Sequence, residues 1–317
     1  MEKRKLGRTG IEVAPLALGG NVFGWTADEK TSLSLIDMFV ERGFSLIDTA
    51  DVYSIWVDGH HGGESEEIIG AWLKRGGAGA REKVVIATKV GWDTKNFGKG
   101  LSKEHILRSA EASRKRLGVD QIDLYQAHIN DVSAPLEETL EAFAILVETG
   151  KVRAIGASNY AAPRLGEALA VSATRGFPRF EVLQPHYHLA NRSFFEGPLR
   201  DLCLAEEIGV ISFYALAGGF LTGKYRNEKD LEGKERARTV SHYLDPRGLD
   251  ILAELDKIAA RLDATPAQVA IAWVMAQKGV TAPIASATNL TQLADILRST
   301  EITLDRAALD RLDRVSA

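Results

Sequence analysis

Eight short apolar runs, each followed by a stretch of helical periodicity, constrain this chain more than any single motif. The strand candidates are Val13–Leu18, Ser45–Asp48, Val84–Lys89, Ile122–Ala127, Ala154–Ala157, Val182–Gln184, Val210–Tyr214 and Pro283–Ala285. Between them, apolar residues recur at spacings of three and four. Leu33, Ile36, Phe39 and Val40 precede Gly43, a left-handed helix stop. Ile106, Leu107, Ala110 and Leu117 run from an N-cap at Ser102 to Gly118. Continuously apolar strands separated by helices imply a parallel sheet covered on its outer face. Eight such units favour α/β architecture of the closed (β/α)8 TIM-barrel kind. An open doubly wound sheet that binds nucleotides would want Gly-x-Gly-x-x-Gly after its first strand. That position reads Leu18-Gly-Gly-Asn-Val-Phe-Gly, and the motif occurs nowhere in the chain.

The 317 residues could by size alone make two domains. The even repeat and the lack of a Pro/Ser-rich linker predict one barrel domain over 1–317. One interval is longer. Between strands seven and eight lie a charged loop, Arg226–Arg238, and two helices, Arg247–Leu262 and Ala267–Lys278. The spacing therefore predicts a long loop and an extra helix there, and a closing C-terminal helix near Asp305–Val315.

Composition narrows the partners. A formal net charge of −4 gives no reason to expect nucleic acid. The single cysteine, Cys203, falls in a predicted helix over Leu199–Ile208 and cannot close an intrachain disulfide. A reducing compartment is expected, with the cytoplasm as location. The basic start is followed by Glu12 and Pro15 rather than an apolar signal core. The longest uncharged run, Ile208 to Thr222, falls short of the ~20 residues of a membrane helix.

One decoy stands in that region. Gly218-Gly-Phe-Leu-Thr-Gly-Lys224 approaches a phosphate-binding P-loop, but Tyr225 stands where a Mg²⁺-binding Ser or Thr is needed. A glycine-rich turn approaching some other phosphate is the better reading.

Barrel chemistry sits at the C-terminal ends of the strands. Asp48 ends strand two, with Tyr53 five residues on; Lys89 ends strand three and His128 follows strand four. Ser158 and Asn159 follow strand five, Gln184 ends strand six and Tyr214 ends strand seven. Singly, each has a bland reading as a cap, an ion-pair partner or a structural histidine. Together they build an acid/base. An ammonium beside a phenol should stabilise the phenolate and lower the tyrosine pKa. A carboxylate should keep the lysine charged, and a histidine can orient a carbonyl oxygen. Tyr53 would then exchange a proton with a developing alkoxide. Trp25 and Trp92, in loops after strands one and three, divide evenly between packing and lining a substrate pocket. His60 and His61 with Glu64 suggest a metal at first sight. Adjacent histidines do not readily face one ion, so a solvated loop and no metal are expected.

At these residues the sequence resembles the aldo-keto reductase superfamily over almost its whole length. The stretches that carry the likeness are Ile47-Asp-Thr-Ala-Asp-Val-Tyr-Ser, Ile86-Ala-Thr-Lys, Asp123-Leu-Tyr-Gln-Ala-His, Gly156-Ala-Ser-Asn-Tyr and Phe220-Leu-Thr-Gly-Lys-Tyr. The resemblance implies a barrel that binds NADP(H) in extended form and interconverts carbonyls and alcohols. Tyr53 would be the general acid in reduction, tuned by Lys89 and Asp48, with His128 orienting the carbonyl. Ser158, Asn159 and Gln184 would hold the nicotinamide carboxamide near Asp48, and Tyr214 would stack on the ring. Gly20 and Asn21 would lie near the cofactor, and Leu216, Gly218 and Lys224 near the pyrophosphate. Relatives often place an arginine on the adenosine 2′-phosphate after the last strand. Here Ser286-Ala-Thr288 puts a threonine at that place, while Gln292 is kept. Arg236 or Arg238 could supply the charge, so NADP(H) is favoured and NAD(H) stays possible. Three alternatives remain: an oxidative sugar or alcohol dehydrogenase, a nucleotide-sensing module like potassium-channel β subunits, and a Schiff-base aldolase using Lys89. The oligomeric state is open.

Overall fold

The computed structural model describes residues 2–95 and 97–317. Eight parallel strands follow one another around a ring: β1 (Ala17–Gly19), β2 (Leu46–Asp48), β3 (Val85–Val90), β4 (Ile122–Ala127), β5 (Val152–Ser158), β6 (Val182–Gln184), β7 (Gly209–Val210) and β8 (Ile284–Ala285). Each pairs with the next, and β8 pairs in parallel with β1 at Ala285 and Leu18. The last seam closes through Thr281 N–H to Val210 O at 2.8 Å and Ile284 N–H to Ser212 O at 2.7 Å. This is the expected (β/α)8 barrel.

The main helices are α1 (Glu29–Glu41), α2 (Glu64–Gly76), α3 (Lys103–Leu117), α4 (Leu136–Glu148), α5 (Ala162–Arg175), α6 (Pro198–Ala205), α7 (Pro246–Leu262), α8 (Pro266–Ala276), α9 (Leu290–Arg298) and α10 (Arg306–Val315). Local chemistry starts and stops them. Asp28 and Ser102 accept from Thr31 N–H and His105 N–H, and Gly118 ends α3 in a left-handed conformation. The two helices α7 and α8 fill the long interval before β8, as expected. The terminal helix α10 packs beside them, with Asp313 accepting from Trp273 Nε1 at 2.9 Å.

Strand alternation builds two cores. Residues pointing outward, such as Ile47, Ile86 and Tyr125, pack under the helices. Inward residues Leu46, Ala87, Leu124, Ala154, Val182 and Ile211 fill the barrel floor. That floor is plugged by Leu6, Ile11 and Val13 of an antiparallel hairpin, Arg4–Lys5 with Glu12–Val13. Burial of each of the three contributes ~1.5–3 kcal/mol. Gly7 is required here: its φ is +60°, and a Cβ would stand 2.2 Å from Glu181 O.

Three boundaries differ most from the sequence expectation. The run Val13–Leu18 is not one strand. Val13 belongs to the plug, Pro15 lacks the N–H a ladder needs, and the barrel strand begins at Ala17. Regular pairing of strand seven stops at Val210, leaving Phe213 one bridge to His186 and Tyr214 at φ +65°. The helix α6 ends at Ala205, before Glu207 at φ +54°. Inside it Cys203 is core, its thiol pushed up to about 12 by burial. Among the described residues, no helix is long and apolar enough to cross a membrane.

Candidate active site

The inward-facing polar residues meet at the top of the barrel because strand period two puts Leu46 and Asp48, and Ala87 and Lys89, on the inner face. Lys89 is fully enclosed. Its Nζ donates to Asp48 Oδ2 at 2.8 Å, to Thr49 O at 2.7 Å and to Tyr53 Oη at 2.9 Å. All three donors of an ammonium are therefore used. Burial lowers the Lys89 pKa, while Asp48 opposes that shift. With three acceptors around it, the nitrogen has no free lone pair for a Schiff base.

Tyr53 is brought to this ammonium by the short loop after β2. Thr49 N–H binds Ala87 O, Asp51 N–H binds Lys89 O, and Ser54 Oγ donates to Phe23 O at 2.6 Å. Tyr53 Oη also reaches Asp48 Oδ2 at 3.4 Å. The sequence reading expects Lys89 to lower the tyrosine pKa. The structure corrects it: burial pushes the phenol well up, and Asp48 adds to the rise. Enclosure outweighs the single cation because the neighbouring carboxylate offsets it. Tyr53 thus rests as a neutral phenol with a proton to give.

His128 closes the other side. Its ring lies 6.0 Å from that of Tyr53 and edge-on to Trp92 at 6.1 Å. Burial and then Lys89 push its pKa well below the usual value, so it is a neutral imidazole. Its Nδ1 is buried without a partner.

These groups stand at one end of a groove of about 910 Å³. Ser158, Asn159 and Gln184 border it beside Asp48, tied together by hydrogen bonds. Gln184 Nε2 donates to Asp48 Oδ1 at 2.8 Å, Ser158 Oγ to Gln184 O at 2.9 Å, and Asn159 Nδ2 to His128 O at 2.9 Å. Asn159 and Tyr214 are held at φ +62° and +65°, a cost of about 1–3 kcal/mol each that clusters at functional sites. Tyr214 presents a partly exposed ring to the groove. Farther along, Leu216, Gly218 and Lys224 form a turn in which Gly218 and Gly219 both take positive φ. A Cβ on Gly219 would crowd Lys224 at 3.2 Å. At the far end stand Ser286, Thr288 and Gln292, with Thr288 N–H and Oγ1 both on Gln292 Oε1.

Several placements differ from expectation. Asn21 lines the groove and accepts from Ser286 Oγ at 2.7 Å, but Gly19 rather than Gly20 is its neighbour there. Gly20 faces Ser65, whose hydroxyl donates to its carbonyl. Arg236 lines the groove yet lies over the ring of Trp25 at 5.4 Å, whereas Arg238 is exposed. Trp92 lines the mouth; Trp25 stands behind Trp56, edge to face at 5.5 Å. The residue the sequence reading missed is Trp56, half exposed and 6.3 Å from the Tyr53 ring. Its loop is expected to be solvated, and Trp56, Asp58, Gly59 and His61 are exposed. The loop is also internally tied, with His60 Nδ1 on Ser54 O and Glu64 accepting from His61 and Gly62 N–H. Among the described residues, no group of three His, Cys, Asp or Glu side chains is set to hold a metal.

Comparison with known proteins gives the family. The model of the Aldo/keto reductase family matches residues 15–317. An uncharacterized oxidoreductase of Bacillus subtilis, YrpG, is 38% identical over 99% of this chain and 96% of its own length. Aldo-keto reductase YhdN of the same organism is 33% identical, covering 96% and 90%. A probable voltage-gated potassium channel subunit beta of Arabidopsis thaliana is 31% identical, covering 99% and 96%. With this match and these relatives, the chain belongs to the aldo/keto reductase family of oxidoreductases.

Proposed function

We propose that this protein reduces an aldehyde or ketone to an alcohol with NADP(H), with Tyr53 as general acid. The observation that carries this is Lys89 Nζ at 2.9 Å from Tyr53 Oη, at the end of an elongated groove. The groove suits an extended dinucleotide. Amides and a hydroxyl stand at the Tyr53 end, an exposed aromatic ring forms one wall, and a left-handed glycine pair leaves backbone open at mid-length.

When bound, the nicotinamide supplies a hydride to the carbonyl carbon. The chain does the rest. Ser158, Asn159 and Gln184 hold the carboxamide, and Tyr214 fixes which ring face is presented. Gly19 and Asn21 with Leu216, Gly218 and Lys224 border the pyrophosphate. Ser286, Thr288 and Gln292 take the adenosine end. Neutral His128 donates a hydrogen bond that orients the carbonyl oxygen. As that oxygen gains charge, Tyr53 Oη transfers its proton to it. The Lys89 ammonium then stabilises the phenolate left behind.

The raised pKa of Tyr53 keeps it protonated near neutral pH, the form a general acid for reduction needs. The intact Asp48–Tyr53–Lys89–His128 set supports chemistry over a purely nucleotide-sensing role. Lys224, Lys234 and Arg236 along the groove support the extra phosphate of NADP(H).

The test is Tyr53→Phe, assayed on a panel of aldehydes and ketones and titrated by fluorescence with NADPH and NADH. Turnover should fall by about 10²–10⁴-fold with nucleotide affinity unchanged. NADPH should bind tighter than NADH. Retained turnover would sink the Tyr53 assignment, and tighter NADH binding the cofactor preference.

A further inference from the structure

Phe213 and Tyr214 line the groove, and behind them lies a cluster of rings and polar groups that the reaction above does not use. It is built where the chain runs on past β6. His186, two residues beyond Gln184, pairs with Phe213 through an isolated parallel bridge, and Phe213 N–H binds Pro185 O at 3.0 Å. The His186 ring stacks on that of Phe213 at 5.0 Å and meets the Tyr214 ring edge to face at 5.4 Å. Phe213 also touches the Tyr214 ring, at 5.6 Å.

His186 is fixed at both nitrogens. Nδ1 lies 2.9 Å from Asn191 Nδ2, and Nε2 lies 2.9 Å from His188 Nε2. His188 is fully enclosed, and Tyr243 Oη reaches the same Nε2 at 3.2 Å. Tyr243 comes from the long interval between β7 and β8, and its ring stacks on Phe220 at 5.4 Å.

We propose that His186 is a positioning residue for the nicotinamide: locked by Asn191 and His188, its ring braces Tyr214 edge to face and so sets the face that Tyr214 offers to the groove. This rests on the reading of Tyr214 as the residue that stacks on the nicotinamide.

The need for a brace follows from the backbone. Tyr214 sits at φ +65°, a pose that persists only where the surroundings over-determine it. Ala217 N–H on Tyr214 O at 2.6 Å fixes the turn but not the ring, which is partly exposed. Two rings face it. Phe213 has no polar side-chain atom, so packing alone holds it. His186 cannot swing away without leaving Asn191 and the enclosed His188 short of a partner, and an unmade bond in the interior is costly. Burial lowers the pKa of both histidines, so the pair is neutral. With the Asn191 amide donating to His186 Nδ1, the proton of His186 lies on Nε2 and is donated to His188. The two facing nitrogens are therefore bonded rather than repelled. Hydride transfer depends on close placement of donor and acceptor, so a fixed wall matters to the reaction.

The experiment is a double-variant cycle on NADPH affinity, read by fluorescence titration of His186→Ala, Tyr214→Ala and the two combined. His186→Ala alone should weaken binding by about three- to tenfold, the worth of one aromatic pair. In the Tyr214→Ala background the same change should shift affinity by less than about twofold, because the ring it acts through is gone. His186→Phe restores a ring without its hydrogen bonds, and its affinity should fall between those of His186→Ala and the parent. Non-additive losses with this partial recovery support the proposal. Additive losses, unchanged affinity in His186→Ala, or no recovery in His186→Phe overturn it. If His186→Ala does not fold, His186→Phe is compared in both backgrounds. A loss that vanishes with Tyr214→Ala then supports the proposal, and any other result overturns it. Tyr214→Ala separates the two ideas. Unchanged NADPH affinity there refutes the reading of Tyr214 and this inference with it, whereas weakened affinity with additive His186 losses refutes only this inference.

Discussion

Lys89 and Asp48 meet at 2.8 Å with the lysine fully enclosed and the aspartate 2% exposed. A pair this buried is costly to assemble and more costly to break, because removing one partner strands the other's charge. Lys89→Met should therefore destabilise the protein by about 3–5 kcal/mol and abolish turnover. Asp48→Asn added to Lys89→Met should restore part of that stability and none of the turnover. Chemical denaturation of the three proteins measures this. A double variant less stable than Lys89→Met would show that the charges are not the main term.

Much of this site was legible in the sequence, since strand ends on a barrel define a mouth. Asp48, Lys89, Ser158 and Gln184 each sit at or beside the end of an apolar run, and the period of two decides which of them face inward. The paired glycines at 218 and 219 were legible as a turn for the same local reason. What stayed hidden depends on three-dimensional neighbours. The direction of the Tyr53 pKa is set by enclosure and by Asp48 together, and no spacing gives the degree of enclosure. Trp56 reaches the mouth because its loop is tied back through Ser54, His60 and Glu64, contacts that leave no periodic trace. The split of Val13–Leu18 between plug and strand follows from Pro15, a signal that was present in the sequence. Arg236 could be placed near the groove from its loop, but its seat over Trp25 is a long-range contact.

Buried neutral histidines should make stability fall on acidification. His128 and His188 are both pushed well below 6.5, chiefly by burial. For His188 the neighbours His186 and His242 add to it. The unfolded chain then binds protons that the folded chain refuses. Their contribution is whole above pH 6.5 and is lost as pH falls below it. Each histidine adds a slope of about 1.4 kcal/mol per pH unit in that window. Denaturation from pH 7 to pH 5 should show this fall. His188→Asn should flatten it, and an unchanged slope in that variant would remove His188 from the account.

Trp56 and Trp92 flank Tyr53 and His128 in different ways, and kinetics should separate them. Trp56 packs on the Tyr53 side of the mouth, with Trp25 behind it. Its truncation removes a wall for the substrate without moving an acid/base group. Trp56→Ala should raise KM for an apolar aldehyde by about tenfold, the loss of about 1.4 kcal/mol of aromatic contact, and leave kcat near the parent value. Trp92 instead holds the His128 ring edge-on. With Nδ1 of that ring lacking a hydrogen-bond partner, its tilt depends on the edge-on packing of Trp92 and Tyr53. Trp92→Ala should therefore lower kcat as well as raise KM, because a tilted imidazole no longer directs the carbonyl oxygen at Tyr53 Oη. Steady-state kinetics on one aldehyde series reads both. Equal falls in kcat for the two variants would mean that Trp56 also orders Tyr53.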